Sequence, residues 1–227
     1  MKDLSFLKNQ LFAHRGLYDN VRIYENTISA FSRALKYNYP IELEVRLLSD
    51  GTIVVFHDDN AKRLLHMDES IDRMAYDELC YLAKYQIPKL DEVLNLINGA
   101  VPILIELKTT SRKYFLENKI CELLDNYSGD FAVQSFYIKT VKWFYKNRKN
   151  YVVGYMIGWK NIKKDIWFKK YDFINIKINS YKDKKVRVLK ENKVVLGWRV
   201  NTKEELVASE DLYDSLTVDN LLEITNQ

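Results

Sequence analysis

The stretch "IELEVRLLSDGTIVVFHDD", Ile41 to Asp59, sets a condition that the whole fold must meet. Residues 41–47 are apolar and β-branched in the manner of a strand, yet Glu42 and Glu44 sit among them. Side chains alternate along a strand, so two carboxylates two positions apart project from one face. Buried and uncompensated, that face would carry the desolvation cost of two negative charges. "SDG", 49–51, reads as a turn, and 53–56 as a short strand returning from 41–47 in a hairpin that delivers His57.

Outward from this stretch, short apolar runs alternate with helix-like ones. Strands are expected at 11–15, 41–47, 102–108, 131–136, 151–157, 172–178, 193–200 and 214–219. Between them lie helical patterns such as "ENTISAFSRALKYN", where Ile28, Phe31 and Leu35 share a face, and "LDEVLNLI", "YFLENKICELLDNY" and "IKTVKWFYKNR". Strand–helix alternation implies parallel strands joined by helical crossovers. Eight such strands in about 200–250 residues suit a (β/α)8 TIM barrel, with the hairpin after the second strand as the one exception to the pattern. A doubly wound open sheet also needs alternation and is the competing architecture.

Composition narrows the class further. The chain has 227 residues, 47% hydrophobic and 29% charged, with seven glycines and three prolines. No linker, low-complexity segment or shift in composition divides it, so residues 1–227 are read as one domain. No apolar run is long enough for a transmembrane helix, and "MKDLSFLKNQLFAHRG" lacks the apolar core and cleavage site of a signal peptide. Cys80 and Cys121 lie in helical-looking segments and are expected to be buried thiols in a reducing compartment, the cytoplasm. A net charge of +4 favours anionic substrates without indicating a nucleic-acid binder.

Polar residues cluster late in the expected strands. His14 and Arg15 close the first, Glu42 and Glu44 lie in the second, and Glu106 and Lys108 share a face of the third with Leu104. Ile103, Ile105 and Leu107 occupy the other face, which should pack on helices, so the mixed face points into the barrel. Asn175 and Lys177 oppose Ile174, Ile176 and Ile178 in the same way, and Trp198 shares a face with Leu196. Barrel active sites form at the carboxyl ends of the strands, which would gather these side chains with His57 at one mouth. Three carboxylates there repel one another unless a hard, oxygen-liganded cation sits among them: Mg2+, Ca2+ or Mn2+. Zinc fits less well, since no cysteine or histidine pair accompanies the carboxylates at ligand spacing. Arg15 and Lys108 suit phosphate oxygens, and two histidines suit proton transfer near neutrality. Together they describe equipment for phosphoryl transfer.

These residues resemble the glycerophosphodiester phosphodiesterases. The resemblance rests on "HRG" 14–16, "ENT" 25–27, "AF" 30–31, "IELEV" 41–45, "DG" 50–51, "HDD" 57–59, "IPKLDEVL" 87–94 and "ILIELK" 103–108. "GWRVN" 197–201 and "LTVD" 216–219 match more loosely, and the order of the motifs spans almost the whole chain. The resemblance implies a (β/α)8 barrel, a divalent metal, and cleavage of a small glycerophosphodiester to glycerol 3-phosphate and an alcohol. Position by position it makes His14 and His57 the acid/base pair and Glu42, Glu44 and Glu106 the metal ligands. Arg15 and Lys108 become phosphate-binding cations, and Trp198 a wall for the glycerol moiety.

Two positions depart from the family pattern. Glu44 stands where aspartate is usual, and its extra methylene moves a carboxylate by roughly 1–1.5 Å. Tyr24 replaces the proline that commonly precedes "ENT". The region between "HDD" and "IPKL" is short. Competing readings are a phospholipase-D-like transphosphatidylase that leaves a cyclic phosphate, and an inactive barrel that binds a ligand. Away from the site, His66 reads as a loop residue, Glu25 as a support for the first loop, and Asn175 and Lys177 equally as interior fill. The lysines of 160–170 and 181–190 read as solvated helix faces.

Overall fold

The computed structural model describes residues 2–83, 85–108, 112–158, 170–178 and 183–226. Nine strands are described: β1 Gln10–His14, β2 Ile41–Leu47, β3 Ile53–Val55, β4 Ile103–Leu107, β5 Phe131–Ser135, β6 Val152–Ile157, β7 Phe173–Lys177, β8 Val194–Val200 and β9 Ser215–Val218. All except β3 pair in parallel with both neighbours, and the β1–β2 and β1–β9 pairings close the sheet into an eight-stranded TIM barrel. Strand β3 lies outside the ring. It runs antiparallel to β2, with Val45 opposite Val55 and Leu47 opposite Ile53. The open doubly wound sheet is thereby excluded, and each strand expected from the sequence is found within one residue of its limits.

The helices described are α1 Ile28–Lys36, α2 Lys62–Leu65, α3 Tyr76–Leu82, α4 Leu90–Ile97, α5 Phe115–Leu124, α6 Ile138–Asn147, α7 Asp183–Lys190, α8 Lys203–Ser209 and α9 Leu221–Thr225. Helix α1 begins where Thr27 Oγ1 accepts from Ala30 N at 3.3 Å, an N-cap that satisfies a donor the helix cannot. Its buried side is Ala30, Phe31 and Ala34, with Ile28 and Leu35 partly covered against the same core. In α7, Val186 is buried while Lys184 and Arg187 are exposed, the solvated face expected there; the segment 160–169 lies outside the described residues. Among the described residues no helix is long and apolar enough to cross a membrane.

Strand alternation divides the apolar residues into two cores. Leu43, Val45, Ile103, Ile105, Leu107 and Val133 face outward and pack under the helices. Inward-facing Phe12, Leu104, Ala132, Val152, Phe173, Val194 and Leu196, with Leu7, plug the amino-terminal half of the barrel. Each of the valine, leucine and phenylalanine side chains among them contributes roughly 1.5–3 kcal/mol on burial. Gly154 makes room for this plug, since a Cβ there would fall 2.2 Å from the Phe173 ring. A third core belongs to the segment after β2. Leu48, Val54, Phe56, Ala61, Leu65, Ile71, Met74, Leu79 and Ile87 form it, beside the barrel rather than within it. Cys121 is buried in α5, whereas Cys80 in α3 is only half-buried because α3 lies over this small side core; both are free thiols.

Candidate active site

Above the apolar plug the inward positions turn polar, and they do so in register. His14 lies opposite Glu42, Glu44 opposite Glu106, and Glu106 opposite Gln134. On the other side Lys177 lies opposite Trp198, and Trp198 opposite Thr217. A cavity of about 510 Å³ opens on this layer. All eight candidates named from the sequence line it: His14, Arg15, Glu42, Glu44, His57, Glu106, Lys108 and Trp198.

The turn after β1 is shaped for this purpose. Arg15 and Asn26 both adopt left-handed backbone, at φ 59° and 57°, and Asn26 N donates to Arg15 O at 3.0 Å. Arg15 N in turn donates to Glu42 O at 2.8 Å, which locks the turn to β2. Gly16 has φ +80°, and a Cβ on it would meet the Ala30 backbone at 2.8 Å. Glycine and the small Ala30 therefore belong together: α1 passes so close that only these two residues fit.

The electrostatic centre is Glu44, which is fully enclosed. Arg15 Nε donates to its Oε1 at 2.9 Å, and Asn26 Nδ2 donates to its Oε2 at 2.7 Å. Burial opposes its ionisation, but Arg15, Lys108, His57 and His14 outweigh that and hold its pKa below the ordinary carboxylate range. Glu42 has the opposite fate. Burial, then Glu44 and Glu106, push it well above that range. The surroundings thus favour the charged form of Glu44 and the neutral form of Glu42.

Each histidine is held from behind by an aspartate. His14 Nδ1 bonds Asp219 Oδ1, which also accepts from Tyr18 Oη at 3.1 Å. His57 Nδ1 bonds Asp58 Oδ1 at 2.6 Å. Burial works against both aspartates, yet the hydrogen bonds from their histidines lower them, Asp58 to about 2 with further help from Arg63. An Nδ1 proton fixed on an aspartate turns each Nε2 toward the cavity. His14 Nε2 and His57 Nε2 lie 3.8 and 3.9 Å from the same atom, Glu44 Oε1.

A cation suits this donor set. One ligand atom from each of His14, Glu42 and Glu44 falls within 4.8 Å of the others, and Glu42 Oε2 is buried without a hydrogen-bond partner among the described residues. Glu106 lines the same cavity with Oε1 2.6 Å from Lys108 Nζ. Arg15 is committed to carboxylates, Nε to Glu44 and Nη1 to Glu25 at 2.6 Å. Trp198 packs edge-on against Phe136 at 5.2 Å, and its buried Nε1 finds no acceptor among the described residues.

The sequence model of the glycerophosphoryl diester phosphodiesterase family matches residues 14–222. The chain belongs to this family. A glycerophosphodiester phosphodiesterase of Bacillus altitudinis is 33% identical over 153 residues, covering 60% of this chain and 62% of that one. The chain spans about three-fifths of the length of the first curated relatives it matches. The solved glycerophosphodiester phosphodiesterase of Thermotoga maritima superposes with a TM-score of 0.80 over 96% of this chain and 97% of that one, at 24% identity. An Oleispira antarctica phosphodiesterase, solved with the product sn-glycerol-3-phosphate, gives 0.85 over 97% and 96% at 20% identity. Both share the barrel.

Several residues that shape the site of this family member carry no clear signal in its sequence. Asp219 and Asp58 stand only as the end of "LTVD" and the middle of "HDD", and nothing in either motif says which histidine each will meet. Asn26 sits in "ENT" with no sign that it will reach Glu44 across the site. Arg46 donates through Nε and Nη2 to His57 O, at 3.0 and 2.8 Å, a backbone contact that no residue pattern announces. Glu25, expected to support the first loop, accepts there from Arg15 and from Asn20. His66 is exposed at the end of α2, as a loop residue should be.

Proposed function

We propose that this family member is a metal-dependent phosphodiesterase that hydrolyses glycerophosphodiesters to glycerol 3-phosphate and an alcohol by two-histidine acid/base catalysis. The observation that carries the reading is the convergence of His14 Nε2 and His57 Nε2 on Glu44 Oε1, at 3.8 and 3.9 Å. Two imidazoles that meet at one anchored carboxylate oxygen suit a reaction in which one proton leaves the nucleophile and another reaches the leaving oxygen. Asp219 and Asp58 keep both Nδ1 positions occupied, so proton exchange is confined to the Nε2 atoms.

Glu42 and Glu44 would hold the cation, with Glu106 as the third carboxylate of the expected set and His14 within the same spacing. A bound divalent ion would supply charge stabilisation for the phosphoryl oxygens and orient the diester. Mg2+, Ca2+ and Mn2+ all fit oxygen donors of this kind, and calcium tolerates irregular geometry best. Lys108 and Arg15 add positive charge beside the phosphate, and Trp198 with its unpaired Nε1 offers a flat wall and one donor to the glycerol. Two unbridged thiols support the cytoplasmic setting expected from the sequence.

The test is product analysis on a panel of glycerophosphodiesters with each metal in turn, for the wild type, His14→Ala and His57→Ala. Glycerol 3-phosphate from the wild type, and loss of most turnover in each folded variant, is the expected result. Retained activity in both variants overturns the histidine roles. A cyclic phosphate product would favour attack by the substrate's own hydroxyl, and no product with any metal would leave a ligand-binding barrel.

A further inference from the structure

Arg63, on the short helix α2 outside the barrel, makes two forks at once. Nε and Nη2 donate to Asp58 Oδ2 and Oδ1 at 2.7 and 3.2 Å. Nη1 and Nη2 donate to Glu25 Oε2 and Oε1 at 2.9 and 2.6 Å. Both carboxylates lead back to the site. Asp58 Oδ1 holds His57 Nδ1, and Glu25 Oε1 holds Arg15 Nη1, whose Nε holds Glu44. His57 Nε2 then stands 3.9 Å from Glu44 Oε1, so the chain His57–Asp58–Arg63–Glu25–Arg15–Glu44 closes on itself.

We propose that Arg63 is the positioning residue for His57: it fixes the Asp58 carboxylate and ties the segment that carries His57 to the strand that carries Glu44. The inference rests on the phosphodiesterase reading for its kinetic consequence, and on geometry alone for its structural one. His57 needs such a tie more than His14 does. His14 ends a barrel strand bonded on both sides, whereas His57 follows β3, which pairs with β2 alone among the strands and packs on the side core. Phe56 N donates to Glu44 O at 2.9 Å and Arg46 of β2 grips the His57 carbonyl, so these bonds hold the backbone to β2; the ion pairs of Arg63 hold the Asp58 side chain and join it to the first loop through Glu25. The side chain is 44% exposed, so burial does not explain an arginine there. Two planar carboxylates at two angles do, because a guanidinium can fork each of them, whereas a lysine ammonium is a point charge with no planar fork to match either.

Three variants test this: Arg63→Lys, Arg63→Ala and Glu25→Gln. The first readout needs no substrate. The low-field imidazole proton of His57 Nδ1, held by Asp58, is observed by proton NMR in the cold and assigned by its loss in His57→Gln. It should broaden or disappear in both Arg63 variants, while the His14 Nδ1 proton persists as an internal control. The second readout is kinetic. In Arg63→Lys, kcat should fall by about 10- to 100-fold with a much smaller change in KM, since His57 loses the fork behind Asp58 whereas Arg15 keeps its own bonds to Glu44 and Glu25. Glu25→Gln, which loosens the same ring from its other side, should give a smaller loss in the same parameter. If Arg63→Lys keeps the His57 resonance and wild-type kcat, the proposal is overturned; should Arg63→Ala fail to fold, the lysine and glutamine variants decide the role. A wild type with no activity on any diester overturns the phosphodiesterase reading instead, and the NMR result still decides whether Arg63 positions His57.

Discussion

Asn26 holds Glu44 from the side opposite Arg15, donating through Nδ2 to Oε2 at 2.7 Å. Both oxygens of the one residue that departs from the family's usual aspartate are therefore occupied by neighbours that reach a glutamate. Shortening it withdraws the carboxylate by roughly 1–1.5 Å and strands both donors. Glu44→Asp is accordingly expected to lower kcat/KM by ~10²-fold, although it restores the usual residue. Steady-state kinetics at saturating metal decide this, and a gain in activity would mean that the surroundings are built for aspartate.

Glu42 should control how the metal-free protein responds to pH. Its pKa is raised in the fold, so the native state binds a proton that the unfolded chain releases above about 4.3. Stability of the metal-free form should therefore fall as pH rises through and above that value, and added metal should recover it by displacing the proton. Glu42→Gln is expected to stabilise the metal-free protein above that pH, since the amide has no proton to take up on folding. The same variant should lose the rise in Tm that Ca2+ or Mn2+ gives the wild type. Calorimetric titration in buffers of different ionisation enthalpy should show protons released on metal binding.

Asp219→Asn tests the alignment of His14. An amide in that place can present its NH2 to Nδ1, which moves the imidazole proton to Nε2 and removes the carboxylate that stabilises the charged ring. The expected loss in kcat is ~10²-fold or more, with KM and Tm little changed. Full activity would remove the Asp219–His14 pair from the mechanism.

Asp58 should shape the acid limb of stability. Its folded pKa, about 2, is depressed below the unfolded value near 3.9. The stabilisation is thus present above about pH 4 and is lost as pH falls toward 2. Urea midpoints measured across that window should fall less steeply for Asp58→Asn than for the wild type.

Gly154→Ala tests the plug beneath the site. The added methyl would overlap the Phe173 ring, so thermal unfolding should show a loss of about 1–3 kcal/mol or more. Activity per folded molecule should survive, because the polar layer above is carried by other strands.

The barrel is legible in the chain because most staves advertise themselves twice, by an apolar run and by the polar residue that closes it. Glu106 with Lys108, and Asn175 with Lys177, already say which face is the interior. The eight candidate side chains are legible for a related reason: carboxylates inside a strand conflict with burial, and the conflict points to a site. What the residues leave silent are second partners. Asp219 lies 205 positions from His14, and Asn26 is 18 from Glu44, distances that only barrel closure and one tight turn bring to contact. Exposure is harder still. Cys80 has the neighbours of a core residue, yet its helix lies over a side core too small to cover it.

That side core has a consequence of its own. His14 ends a stave of the ring, whereas His57 rides on a separately packed unit clasped to it. The candidate site is thus a joint between two parts of one molecule, and its integrity is a matter of docking as much as of folding. A substitution at the clasp can silence the chemistry in a chain whose barrel is wholly sound. For the same reason, the unit beyond β2 is where this architecture can be retuned without disturbing the staves that hold it up.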